Sequence, residues 1–239
     1  MNIVAIDPSL ASTAMVVNDK KFVYGSISTS RTKKLALKGW YEKTDGLITL
    51  REHNDTPSMD YMEGEVAKWK HFNEISHKIA ADIHANIDHT QSTVVAIEGY
   101  SFSSAAGPLI DLVTLGTLIR QKIIELKLLA NNNLPLEFHI VSPTSLKAMV
   151  AKLTYPGVPK NKKGDLEYRN KEGVAGGSFK KHEMYRALIE NESLKCEYVE
   201  FLREHAEEIL ALKSIPKPIE DTNDAKLLYE VIRAGLLTP

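Results

Sequence analysis

Apolar positions along the chain change period several times, and the changes outline an α/β domain. Ile3 to Ile6 is a short apolar run ended by Asp7-Pro8-Ser9, which predicts a buried strand stopped by a turn. Thr13 to Val17 and Lys21 to Ile27 predict two further strands joined at Asn18-Asp19, an antiparallel start. Ser28 to Met62 is polar and without a readable period, so it is expected to be loop or partly ordered insertion. From Glu63 to Ile87 the spacing becomes helical, with Val66, Trp69, Phe72, Ile75, Ile79 and Ile83 on one face. The β-branched run Thr93 to Ile97 predicts a strand with Glu98 at its end. Gly107-Pro108 then opens a helix to about Leu129 whose stripe Leu109, Leu112, Val113, Leu115, Ile119 is expected to be core, with Gly116 permitting close helix approach. Glu137 to Val141 predicts a fifth strand, and Ser142-Pro143 the cap of a helix. Leu153 to Ser178 reads as a mobile loop, with a helix from about Phe179. An acidic helix is expected over Ser193 to Leu212, and a last helix starting at Asp221 with Ala225, Leu228, Val231 and Ile232 as its apolar face. The order of elements predicts an α/β fold with a mixed five-stranded sheet flanked by helices.

Composition changes this picture little. The chain has 239 residues, 43% hydrophobic and 26% charged, enough for a substantial core. No apolar stretch is long enough for a membrane span, and no signal peptide is read at the N-terminus. Cys196 is the single cysteine, which rules out an intramolecular disulfide and suits a reducing, cytoplasmic setting. The net charge is -1, so bulk charge does not announce a nucleic-acid binder and any such role depends on how charge is distributed.

The candidate chemistry lies in carboxylates. A carboxylate at the carboxyl end of a buried strand points into the crevice where α/β sites form, and Asp7 and Glu98 both hold that position. Asp221 and Asp224 are three apart at a helix start and share a face. Taken singly, Asp7-Pro8 is equally a turn, Glu98 an exposed strand end, Asp221 an N-cap and Asp224 a favourable first-turn charge. Brought together, four acids cannot all stay ionised without compensation. Divalent cations compensate, and hard oxygen ligands favour two Mg2+ ions, with Mn2+ substituting. Such a pair, about 4 Å apart, suits phosphodiester hydrolysis.

Three segments carry a resemblance: Asp7-Pro8-Ser9-Leu10-Ala11-Ser12-Thr13-Ala14, Val95-Ala96-Ile97-Glu98-Gly99-Tyr100-Ser101-Phe102 and Asp221-Thr222-Asn223-Asp224-Ala225. Together they resemble RuvC-type Holliday junction resolvases, closest in style to those of bacteriophages. Ala14 departs from the glycine of the first family motif. The resemblance implies an RNase H-like fold and four metal-binding acids at Asp7, Glu98, Asp221 and Asp224. It also implies a homodimer acting on branched DNA in the cytoplasm, that of the host if phage-encoded. His139 to Lys147 and Gly177 to Lys181 are similar to two further family segments. That similarity implies that Lys147 and Lys181 approach DNA phosphate or the reaction centre, with Lys180 competing for the second role. Relative to the compact bacterial enzyme, residues 28–62, 153–176 and 190–216 look like insertions in one nuclease domain spanning 1–239.

The segment from Lys152 to Lys181 is basic. Lys152, Lys160, Lys162, Lys163, Arg169, Lys171, Lys180 and Lys181 face only Asp165, Glu167 and Glu172, which suits phosphate contact as much as a solvated loop. Tyr155 and Tyr168 are candidates to stack on unpaired bases, and His182 to contact DNA. His77 and His84 share a helix face without a partner to complete a zinc pattern and are expected at the surface. Two other readings remain. An actin-like nucleotide-binding ATPase would need Gly-rich phosphate loops, for which Gly176-Gly177 is a poor substitute. A non-catalytic DNA-binding protein of the same fold would gain nothing from clustered negative charge near phosphate.

Overall fold

A computed structural model describes residues 1–26, 38–53, 60–100, 106–129, 135–160 and 164–237. Its centre is a mixed sheet of β1 (Asn2–Asp7), β2 (Ser12–Val17), β3 (Lys20–Ser26), β4 (Thr49–His53), β5 (Thr93–Glu98) and β6 (Leu136–Val141). The strand order is β4-β3-β2-β1-β5-β6. β1, β2 and β3 form an antiparallel meander, while β5 lies parallel to β1 and β6 parallel to β5. The β2–β3 turn uses Asn18 and Asp19 at positive φ, 45° and 71°, which two-residue hairpins require and Asn and Asp tolerate.

Alternation along the strands decides which helices each face receives. Val4, Ile6, Val95 and Ile97 pack against α1 (Tyr61–Asn86) and α2 (Ala106–Leu129) through Phe72, Ile75, Ile79, Leu115 and Ile119. Ile3, Ala5, Val94 and Ala96 point the other way. They meet α3 (Pro143–Thr154), α4 (Lys181–Glu190), α5 (Glu197–Glu204) and α7 (Ile219–Arg233), with the short α6 (Ala206–Leu210) between the last two. Nearly every residue of α7 is buried, polar ones included. Two of its buried polar groups are partnered, Tyr198 donating to Asn223 at 2.8 Å and the fully buried Lys226 ammonium pairing with Glu230 at 2.6 Å and Asp19 at 2.5 Å, while the buried Thr222 hydroxyl has no hydrogen-bond partner among the described residues.

The expected α/β layout with a helix-flanked mixed sheet is present, with one strand more than the expected five. The sixth, β4, lies in the polar 28–62 stretch and runs parallel to β3. Its Thr-Leu-Arg-Glu-His sequence is an edge strand largely open to water, so it carries no apolar alternation to read. In the same stretch Trp40, Tyr41 and Leu47 pack onto the core. The expected loop from Leu153 to Ser178 is also structured where described. It contains a hairpin, β7 (Gly157–Pro159) with β8 (Leu166–Tyr168), an Arg169–Ala175 bridge and a 3-10 turn at Gly176–Ser178. Three-residue surface strands are too short to show a period. The acidic stretch 193–212 folds as two short helices that meet at His205 rather than one.

Several side-chain expectations also change. Val66 and Trp69, expected on the buried face of α1, are each 53% exposed because the first turns of that helix overhang the core. Of the α2 stripe, Leu115 and Ile119 are buried, Leu109 and Leu112 half-buried, and Val113 exposed. Gly116 makes room for a side chain rather than a helix: a Cβ there would stand 2.3 Å from the Tyr100 hydroxyl. Gly176 packs on α3, where a Cβ would meet that of Ala151 at 2.3 Å, so this glycine serves close packing rather than a phosphate loop. No helix among the described residues is long and apolar enough to cross a membrane.

Candidate metal centre

The strand register brings the first two acids together. In the parallel β1–β5 pair Ile6 stands opposite Ile97, so Asp7 and Glu98 follow side by side. Alternation puts both on the face of Ala5 and Ala96, the face that α7 covers. From above, α7 contributes Asp224, only 5% exposed. One carboxylate oxygen each from Asp7, Glu98 and Asp224 lie within 4.8 Å of one another. Three hard anionic oxygens at that separation fit a divalent cation of the Mg2+ or Mn2+ class.

The electrostatics are those of charges forced together. Burial pushes the Asp7 carboxyl well above its ordinary value, and the neighbouring Glu98 and Asp224 push it further. Burial, then Asp224, raises Glu98 to about 7, against the opposing pull of Lys181 and Lys147. Asp224 is raised by burial, and Lys181 opposes the rise. Burial works against the Lys181 ammonium, but Asp224, Asp7 and Glu220 outweigh it and hold Lys181 above its ordinary value. Lys181 Nζ donates to Asp224 and lies 3.3 Å from Glu220.

Asp221 stands apart from this trio. It is not the N-cap, because α7 begins two residues earlier at Ile219, and its side chain is buried. One carboxylate oxygen accepts from the Ser12 hydroxyl at the start of β2, the other from the Lys217 ammonium. Burial raises its pKa, while Lys217 and Ser12 oppose the rise. Asp224 is likewise an interior group rather than a first-turn surface charge.

Lysines reach the centre from two directions. Ser142 caps α3, its hydroxyl accepting from the Ser145 N–H at 3.1 Å, and Pro143 opens the helix. That start places Lys147 close enough to Glu98 to draw its pKa down. Lys181, the first residue of α4, enters from the other side, while Lys180 is exposed, its backbone N–H donating to Glu183 at 2.8 Å and its carbonyl accepting from Met184 at 2.9 Å. Of that pair, Lys181 is the one at the carboxylates.

The remaining basic candidates are dispersed. Lys152 and Lys160 are exposed. Arg169 is drawn back into its own hairpin by an ion pair with Glu167 and a 2.6 Å bond to the Gly173 carbonyl. Lys171 pairs with Glu190 at 3.3 Å. His182 is half-buried, its Nε2 3.4 Å from the Leu212 carbonyl. Lys162 and Lys163 lie outside the described residues, as do Ser101 and Phe102 of the second motif. Tyr155 is not free to stack on a base: it is buried against Phe179 and donates to Glu190 at 3.2 Å. Tyr168 also packs against the core. His77 and His84 are exposed as expected.

Sequence reasoning missed Ser12, Lys217 and Glu220 as neighbours of the acids. Ser12 sits inside the first quoted motif, Glu220 directly precedes Asp221, and Lys217 lies one helical turn before it. Their nearness in sequence was a signal, but their direction depended on where α7 lands.

No family model matches the chain, and no curated protein matches it. Among solved structures it is similar to T. thermophilus RuvC in complex with a Holliday junction substrate, at 11% identity and TM-score 0.42, covering 98% of this chain and 96% of that one. A second structure of Thermus thermophilus RuvC gives 13% identity and TM-score 0.39, with 98% and 97% covered. The yeast mitochondrial Holliday junction resolvase Ydc2 gives 12% identity and TM-score 0.47, covering 96% of this chain and 76% of that one. Likeness at this level leaves the chemistry to be argued from the side chains.

Proposed function

We propose that the chain is a RuvC-like, metal-dependent endonuclease that cleaves Holliday junctions and related branched DNA, built as one nuclease domain. The observation that carries the reading is the meeting of Asp7, Glu98 and Asp224 within 4.8 Å, with Lys181 and Lys147 beside them. Asp7, Glu98 and Asp224 would hold one Mg2+ ion and, with Asp221, a second. Bound Mg2+ polarises a phosphodiester and offsets the charge that develops during its hydrolysis.

The chain's own groups account for the rest. The acids are fixed by strand register and a buried helix, so their positions are set before substrate arrives. Lys147 and Lys181 offer ammonium groups at the edge of the cluster, where a DNA phosphate would otherwise meet net negative charge. Lys152, Lys160 and Lys180 extend exposed positive charge away from that edge along α3, the β7–β8 hairpin and the start of α4. A homodimer would present two such centres, matching the two-fold symmetry of a four-way junction.

The test is cleavage of four-way, three-way and linear DNA with Mg2+ or Mn2+, mapped on both strands. Symmetric paired nicks on the four-way substrate are expected. Asp7→Asn and Glu98→Gln should abolish cutting while binding persists; wild-type cutting by either variant would overturn the proposal. Sedimentation of the free protein and its junction complex tests the dimer.

A further inference from the structure

Asp221 and Asp224 are three residues apart on one helix, and both are buried, yet they have different partners. Asp224 lends an oxygen to the trio with Asp7 and Glu98 and accepts from the Lys181 ammonium at Oδ2 alone. Asp221 has both oxygens engaged, one by the Ser12 hydroxyl and the other by the Lys217 ammonium. Those two contacts differ in kind. Ser12 is fixed in the sheet, at the start of β2 opposite Gly25 of β3. Lys217 lies just before α7, its side chain 40% exposed, with the Glu220 carboxylate 3.6 Å from its ammonium. The ammonium can therefore leave Asp221 for water or Glu220 without breaking packed structure, whereas the hydroxyl cannot.

We propose that Lys217 is a built-in counter-ion for Asp221 that a divalent cation must displace, so that the two cation subsites are unequal. The subsite of Asp7, Glu98 and Asp224 already has three converging carboxylates, with Lys181 on one Asp224 oxygen; the one that uses Asp221, whose two oxygens are both engaged, opens only when the Lys217 ammonium moves aside. Ser12 keeps the Asp221 carboxylate oriented throughout, making Lys217 and Ser12 positioning residues. The inference rests on the metal-site reading above and adds the residue that ranks the two subsites.

Mn2+ binding to the full chain without DNA tests it, by calorimetry and by electron paramagnetic resonance counting of bound ions. Wild type should bind one ion tightly and a second at least about tenfold more weakly, a difference of about 1.4 kcal/mol. Lys217→Met should tighten the second ion by roughly tenfold and leave the first within about twofold. Lys217→Arg should behave as wild type, and the double variant Lys217→Met with Asp221→Asn should lose the gain. Lys217→Gln gives a second charge-free side chain should the methionine variant fold poorly by circular dichroism. Unchanged constants in the charge-free variants, or equal tightening of both ions, would overturn the role of Lys217. If the Lys217 variants fail in that way while wild type still binds an ion that Asp7→Asn abolishes, the metal centre stands and this inference alone falls. If wild type binds no Mn2+ at all, both fall together.

Discussion

At the scale of single residues, the centre is a balance between burial and repulsion. Glu98 titrates near 7 because burial and Asp224 disfavour its charged form. A carboxyl whose pKa is higher in the fold than in the open chain stabilises the fold fully below the ordinary carboxylate range. That contribution is lost as pH rises through the folded value. The metal-free protein should therefore lose stability between about pH 4.5 and 7, by on the order of 1–3 kcal/mol from this group. Glu98→Gln cannot ionise, so in urea melts without metal it should be more stable than wild type at pH 8 and gain nothing at pH 4. An equal difference at both pH values would rule out Glu98 as the source. Divalent cations should reverse the order at pH 8, because only wild type keeps the full ligand set. Asp7 and Glu98 could be read as strand-end carboxylates from sequence. Their mutual distance could not, because it depends on the β1–β5 register.

Among elements, α7 is the piece that assembles the site, and its anchoring is ionic as well as apolar. Lys226 is wholly buried between Glu230 and Asp19 of the β2–β3 turn. Removing one partner of a buried pair leaves an uncompensated charge. Lys226→Ala should therefore cost about 3–5 kcal/mol in denaturant unfolding, far more than Lys226 would lose by becoming Arg. Leu228, at the centre of the same helix, should cost about 2–5 kcal/mol as Leu228→Ala. The 3-10 turn before α4 depends on close packing instead. Gly176→Ala drives a methyl into Ala151 and against the Lys147 carbonyl at 3.2 Å, with an expected cost of about 1–3 kcal/mol by chemical denaturation. Because that turn leads into Lys181 and leans on the turn of α3 that carries Lys147, this variant should also weaken DNA binding. Wild-type stability for Gly176→Ala would mean that the turn readily shifts. Long amphipathic elements such as α1 could be read from sequence, whereas β4 and the β7–β8 hairpin could not. Short or edge strands need tertiary pairing to exist and leave no period in the chain.

For the whole molecule, the proposed DNA binding by a near-neutral protein depends on local charge. Lys147, Lys152, Lys160, Lys180 and Lys181 spread from the carboxylate cluster across α3, the β7–β8 hairpin and α4, while Arg169 and Lys171 are taken up by nearby acids and carbonyls. Lys152→Ala and Lys160→Ala should each weaken junction binding across sequences and lower the slope of log affinity against log salt by about one. Arg169→Ala should change the slope less. Fluorescence anisotropy across a salt series checks the ranking, and an Arg169 effect as large as that of Lys152 would overturn it.

By itself the sequence determined the elements with strong periods, the α/β class, and the positions of Asp7 and Glu98 at the ends of buried strands. Those features follow from local rules: alternation fixes a strand, helical spacing fixes a helix, and a polar turn ends each one. The tertiary structure decided which acids meet. Asp7 and Glu98 are 91 positions apart and become neighbours only through parallel register. Ser12 and Asp221 are separated by 209 positions. Packing α7 across the sheet turns Asp224 into the cluster and Asp221 toward Ser12 and Lys217. Four carboxylates that look equivalent along the chain thus become three together and one held apart, because side-chain direction is set by how elements dock and not by spacing.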